Sequence, residues 1–200
     1  MIVTIRHSQI ASLCVLSLSV LFACTQAEPS AKSAVKRGVE NAMKGNYGGA
    51  IEAFNEAIKI DPKMAMAYNN RGLIYSKLKR SSQAINDYHT AILLDPNYGG
   101  AYTNRGNAYM ELEEYNKAKD DYDHAVALSP QDPAGYINRA LEYSQVGQHD
   151  RAIADYSKAA ELDPKDGQIY LHRAAIYDLK GQTDLAAQDR GRAAALGAKQ

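Results

Sequence analysis

From Ala31 onward, bulky and small residues return at fixed intervals. A proline recurs at Pro62, Pro96, Pro130 and Pro164, each 34 residues after the last, and sets five frames: 31–64, 65–98, 99–132, 133–166 and 167–200. Aromatic residues hold the fourth place of the frame (Tyr68, Tyr102, Tyr136, Tyr170), the eleventh (Tyr75, Tyr109, Tyr143, Tyr177) and the twenty-fourth (Phe54, Tyr88, Tyr122, Tyr156). Small residues hold the eighth (Gly38, Gly72, Gly106, Ala140, Ala174), the twentieth (Ala50, Ala84, Ala118, Ala152, Ala186) and the twenty-seventh (Ala57, Ala91, Ala125, Ala159, Ala193). Places three, four or seven apart share a helix face. Rings facing alanine and glycine let two antiparallel helices approach closely and interlock, so each frame predicts a helix pair. The second helix must stop at its proline, which lacks the N–H to continue it. The five pairs use the chain to its last residue and leave nothing for a second domain.

The frame reads Tyr-x-Asn-Arg-Gly-x-x-Tyr, then Ala, Tyr, Ala and Asp-Pro, and this closely resembles the tetratricopeptide repeat (TPR) over residues 31–200. The resemblance implies an all-α, right-handed α-solenoid of five helix-turn-helix repeats that binds a protein or peptide partner and performs no chemistry. Of 14 tyrosines, 11 fall at the three recurring places, so their excess reads as core rather than as a redox path. The end frames depart from the pattern. The first has Ala34 and Asn41 where later frames have Tyr, and the last has Arg190 for the third aromatic and Gly197-Ala198 for Asp-Pro. Terminal units have no outer neighbour and must be solvated, so Arg190 and Arg192 are expected to face water. An incompletely solvated end favours a weak homodimer.

In this family the first helix of each pair lines the concave face, which points to places two, five, six, nine, twelve and thirteen. Place six gives Lys36, Asn70, Asn104, Asn138 and His172. The three asparagines form a ladder of amides able to donate to and accept from the backbone of an extended peptide. Leu73, Asn107, Ile137 and Leu141 are the other candidate contacts, with Val35, Val39, Asn69, Thr103, Met110 and Leu171 around them. Amide bonds of about 1 kcal/mol each do not meet an association cost of roughly 4–15 kcal/mol, so apolar burial must supply most of the affinity. The carboxylate clamp known in this family is excluded, because Val35, Val39, Ala134 and Asn138 stand at its cationic and amide places.

Arg71, Arg105, Arg139 and Arg173 at place seven each precede Asp87, Asp121, Asp155 or Asp189 by 16 residues. So regular a pair reads as an ion pair joining the two helices of a unit; an anion-binding arginine column is the alternative. The five histidines do not cluster, and no phosphate loop, nucleophile elbow or paired-cysteine motif occurs, so neither metal, cofactor nor catalytic residue is expected. Lys+Arg and Asp+Glu both number 23, which leaves no basic field for nucleic acid.

Residues 1–23 read as an export signal, with Arg6 and His7 before an apolar run from Ile10 to Ala23. About 14 residues rise only about 21 Å as a helix, short of the roughly 30 Å hydrocarbon layer. The run ends in Leu21-Phe22-Ala23-Cys24, which resembles the lipobox of bacterial lipoproteins and implies a lipid on Cys24, with 24–30 as a tether. Cleavage after Ala27, giving a soluble periplasmic or secreted product, and retention of the segment are the alternatives. Thr25, where Asp would resemble an inner-membrane retention signal, implies an outer-membrane address facing the periplasm. The sequence thus points to a lipid-anchored adaptor of the bacterial cell envelope. A soluble periplasmic adaptor is second, and an envelope hydrolase or accessory enzyme is the alternative of another class.

Overall fold

The computed structural model describes residues 30–199; the expected export signal, Cys24 and most of the expected tether lie outside them. Ten helices follow in order: α1 (Ala31–Met43), α2 (Tyr47–Ile60), α3 (Ala65–Lys77), α4 (Ser81–Leu94), α5 (Gly99–Glu111), α6 (Tyr115–Leu128), α7 (Pro133–Gln145), α8 (His149–Leu162), α9 (Gly167–Leu179) and α10 (Thr183–Ala195). Among the described residues there is no strand. Each helix packs most closely on its partner within a frame, and the second helix of one pair then packs on the first helix of the next. The result is the helical-repeat solenoid expected from the 34-residue period.

Two turn types build it. Between pairs, Asp61, Asp95 and Asp163 end the second helix and accept from the backbone N–H of Lys63 (3.0 Å), Asn97 (3.0 Å) and Lys165 (3.1 Å). The following proline carbonyl accepts from the next fourth-place tyrosine: Tyr68 to Pro62 and Tyr136 to Pro130 at 3.3 Å, Tyr170 to Pro164 at 3.4 Å. The recurring phenol therefore fastens the second, fourth and fifth units to the turn before each.

Within pairs, place fifteen adopts a left-handed backbone in every unit: φ is +73° at Gly45, +58° at Lys79, +59° at Glu113, +74° at Gly147 and +70° at Gly181. A side chain there is strained by about 1 kcal/mol relative to glycine. Lys79 at least gains a 2.9 Å bond from Nζ to Glu111, whereas the Glu113 side chain bonds nothing among the described residues. Glu113→Gly is expected to stabilise the chain by about 1 kcal/mol and raise the thermal midpoint by about 2–4 °C; an unchanged or lower midpoint in a calorimetric scan would count against strain at this turn.

The core is narrower than the aromatic count suggests. Phe54, Tyr88, Tyr122 and Tyr156 are fully buried, and their rings lie against place eight: a Cβ on Gly72 or Gly106 would come within 2.7 Å of the Tyr88 or Tyr122 ring. Burial pushes the pKa of these three phenols upward. At places four and eleven, however, Tyr68, Tyr75, Tyr102, Tyr109, Tyr136 and Tyr177 are only half-buried, with Tyr143 and Tyr170 buried. The core reading holds in full only at place twenty-four, because arginine shares the cover of the other rings.

First helices of successive units approach one another (α1 with α3, α3 with α5, α5 with α7), while second helices make no comparable approach. The more closely spaced layer of a curved stack is its inner layer, so the first helices form the concave side. At the carboxyl end Arg192 is exposed, as expected, but Arg190 turns back onto Asp178. The pair lies at the surface, with the Arg190 side chain still 41% exposed, so Arg190 too keeps contact with water. At the amino end Ala53 occupies the place of the recurring aspartate, and Arg37 pairs with Glu56 instead.

Candidate functional site

The arginine column is structural. Nε and Nη2 of each arginine donate to the two oxygens of the aspartate 16 residues on: Arg71 to Asp87 at 2.8 and 2.6 Å, Arg105 to Asp121 at 2.9 and 2.7 Å, Arg139 to Asp155 at 2.7 and 2.9 Å, Arg173 to Asp189 at 2.7 and 2.7 Å. Hydrogen bonding to aspartate outweighs desolvation and holds each guanidinium pKa above its ordinary value. The remaining Nη1 reaches into the preceding unit, to Asn55 at 2.6 Å, His89 at 3.1 Å, Asp123 at 2.7 Å and Ser157 at 2.9 Å. The guanidinium carbons also lie 5.6–5.9 Å from tyrosine ring centroids at places four and eleven. With its donors and faces engaged, the column offers no open anion site, and the ion-pair reading gains a second role in joining neighbouring units. Burial raises the pKa of Asp123, but bonds from Lys119 and Arg139 outweigh it and leave the carboxyl below its ordinary value.

On the concave side the asparagines are not equivalent. Asn104 Nδ2 donates to Asn69 Oδ1 at 2.9 Å, and Asn69 Nδ2 donates to the Tyr98 hydroxyl at 3.2 Å. Asn69, expected in the groove, is 4% exposed and bridges the second and third units. Val35 is buried as well. Asn70 and Asn138 are half-buried, and their side chains bond no protein group among the described residues. The amide ladder is therefore open at two rungs and half engaged at the third. Asn107 is exposed and accepts from the Tyr122 hydroxyl at 2.7 Å, which leaves its amide N–H for another partner. Leu73 and Leu141 are exposed, whereas Ile137 and Leu171 pack partly against the core of the last two units. His172 is exposed, its ring stacked 5.8 Å from that of Tyr156.

Between α1 and α3 lies a cleft of about 370 Å³ lined by Val39, Ala42, Met43, Tyr47, Phe54, Asn70, Leu73, Ile74 and Lys77. A second hollow of about 250 Å³, lined by Lys32, Val35, Met64 and Met66, adjoins the same two helices. Met43, Met66 and Lys77 escape a reading by recurrence, because places two and thirteen change residue type in every frame. For the two methionines the signal is the reverse: large apolar side chains at helix positions that no core needs, Met43 being 82% exposed. Among the described residues no group of three His, Cys, Asp or Glu side chains is placed to hold a metal ion. No described helix is long and apolar enough to cross a membrane.

Comparison with known proteins agrees with this geometry. The chain is similar in structure to MamA (28% identity, 80% of this chain and 94% of that one, TM-score 0.72). It is also similar to PilF of Pseudomonas aeruginosa (20% identity, 85% and 78%, TM-score 0.79). A third likeness is to YrrB, a TPR protein with an unusual peptide-binding site (18% identity, 83% and 86%, TM-score 0.66). At such identities the last two establish the fold alone. No curated protein matches the sequence. A TPR repeat model matches residues 42–79, and the tetratricopeptide repeat model matches 65–98, 100–132 and 133–166. The fold is that of a protein–protein interaction scaffold, and with its repeats matched over more than half its length the chain belongs to the tetratricopeptide repeat family.

Proposed function

We propose that the protein is a non-enzymatic adaptor of the bacterial cell envelope, anchored by a lipid on Cys24, that holds an extended segment of a partner protein along its concave face. One observation carries the reading. The inner helices present exposed Leu73 and Leu141 beside Asn70 and Asn138, two amides whose hydrogen bonds are unmade within the described chain. A partly buried amide without a partner favours a peptide backbone that supplies one. The likeness to YrrB supports the same use of the fold. Residues 24–30 give a tether that spans about 23 Å when extended, enough to stand the solenoid off a bilayer. The polar recurrences are spread evenly over the units and already bonded, which disfavours a hydrolase.

Changing Asn70 and Asn138 together to Ala is expected to abolish co-purification of the partner from cells, with helicity and melting unchanged. Adding Asn104→Ala deepens the loss and also loosens the Asn69 bridge. Retention of partners by the double variant would remove the concave-face reading. Cys24→Ser is expected to move the protein from the membrane to the soluble fraction. Release from the wild-type chain itself would support the soluble periplasmic alternative. Turnover sensitive to a single residue in a hydrolase screen would replace the adaptor reading. Concentration-dependent sedimentation tests the weak homodimer expected of an incompletely solvated end.

A further inference from the structure

We infer that the cleft between α1 and α3 is a side-chain socket that selects partner segments carrying a large apolar residue next to an acidic one. This rests on the concave-face reading and adds the chemistry of the occupant. The ring at place twenty-four underlies the first helix of its unit. In the second unit the Tyr88 phenol faces Ser76, and in the third the Tyr122 phenol donates to Asn107 at 2.7 Å. In the first unit all three corresponding groups are apolar: Phe54 has no hydroxyl, and Val39 and Ala42 stand at places nine and twelve.

The second junction is also filled by the chain itself. Glu111 at place thirteen accepts from Lys79 Nζ at 2.9 Å and Ser81 Oγ at 3.5 Å. At the first junction place thirteen is Met43 on one side and Lys77 on the other, and the hollow between them stays open at about 370 Å³. That volume lies at the lower end of ligand pockets, suited to one Leu, Met or Phe side chain with its backbone. Val39, Ala42, Phe54 and Ile74 of the lining carry no hydrogen-bonding side chain, so a polar side chain seated against them would leave its hydrogen bonds unmade.

Charge completes the description. Lys77 lines the cleft and makes no ion pair among the described residues, and Lys32 lines the adjoining hollow, likewise unpaired. Glu40 on α1 stands 4.0 Å from Lys36 in an exposed pair, and no Asp or Glu lines the cleft or the adjoining hollow. A flanking Asp or Glu meets Lys77 in an attractive field; a flanking Lys or Arg is repelled.

Selection of a displayed random-peptide library on the full chain is expected to enrich segments in which Leu, Ile, Met or Phe stands within two residues of Asp or Glu. Fluorescence anisotropy with labelled copies of the selected peptides then reads the charge directly. Lys77→Glu, a change at an exposed and unpaired side chain, is expected to weaken the acidic-flanked peptide about fivefold and strengthen its Lys-flanked counterpart by a similar factor. Ala42→Leu fills the hollow and is expected to weaken both about tenfold. Peptides that lose binding with Asn70→Ala/Asn138→Ala, yet show no apolar–acidic signature and ignore Lys77→Glu, would overturn the socket while the concave-face reading stands. Apolar–acidic peptides whose binding ignores the asparagine changes but reverses with Lys77 would uphold the socket and remove the backbone-recognition reading. Failure to enrich any peptide sensitive to either set of changes overturns both.

Discussion

Arg139→Ala will destabilise the chain by about 3–5 kcal/mol, more than an equivalent truncation of Arg71. Removing one member of a buried ion pair leaves the other charged, desolvated and unpaired, which costs more than the pair itself contributes. Asp155 is that orphan, with a side chain only 10% exposed. Arg139 is also the one column member whose third bond reaches an anion, Asp123; the corresponding partner of Arg71 is the neutral Asn55. The loss therefore falls on the junction between the third and fourth units as well as within the fourth. A solenoid is coupled only through neighbours, so weakening one junction separates the unfolding of 31–132 from that of 133–199. Urea denaturation followed by circular dichroism should show an earlier and broader transition for Arg139→Ala than for Arg71→Ala. Pairing Arg139→Met with Asp155→Leu should recover most of the loss, since neither member of the pair is then left charged and unpaired. An Arg139→Ala variant within about 1 kcal/mol of wild type would contradict the account.

The period, the pairing of helices and the sixteen-residue Arg–Asp spacing are legible in the sequence because each is a repeated choice of residue type. What repetition of type cannot reveal is repetition of geometry. Place fifteen is left-handed in all five units, but only Gly45, Gly147 and Gly181 advertise it; Lys79 and Glu113 carry the same backbone without the signature residue. The arginine's third bond is likewise invisible, since Asn55, His89, Asp123 and Ser157 share a place and an acceptor but no residue type. Tyr68, Tyr136 and Tyr170 at place four each make a hydroxyl contact with a proline carbonyl, where a count of aromatic residues reads only core.

The candidate site is less legible for the opposite reason. A binding surface is made of departures from the repeat, and departures resemble noise until coordinates set them side by side. Asn69 and Asn70 are neighbours of identical type, one sealed between units and the other open to the groove. Only the rotation of the helix distinguishes them. Met43, Met66 and Lys77 become meaningful once the hollow they line is seen.

Glu142 is the departure with the second large predicted effect. It stands at place ten, which is the exposed Glu40 in the first unit and Ile74, Ala108 and Ile176 in the second, third and fifth, where Ile74 packs with Ala50 and Phe54 of the preceding unit and Ile176 with Ala152 and Tyr156. It is 2% exposed, and Oε2 has no hydrogen-bond partner. Burial raises its pKa; Asp123 adds to the rise, while Lys119, Arg139 and Arg151 oppose it without cancelling it. A carboxyl whose folded pKa exceeds its unfolded value of about 4.3 contributes stability below that value, and the contribution is lost as pH rises through the folded pKa. Ionising this buried carboxyl in the native state costs about 1–3 kcal/mol, since Oε2 has no hydrogen-bond partner to receive the charge. Glu142→Ile should therefore stabilise the chain by about that amount at pH 7, and the gain should shrink as pH falls toward 4. Glu142→Gln removes the charge but keeps a buried polar group, so it should flatten the same pH dependence with a smaller gain at pH 7. Denaturant titrations of the three proteins from pH 4 to 8 separate charge from packing. A gain from Glu142→Ile that is the same at every pH would mean that shape alone sets the defect and that the carboxyl ionises over the same pH range in the folded and the unfolded chain.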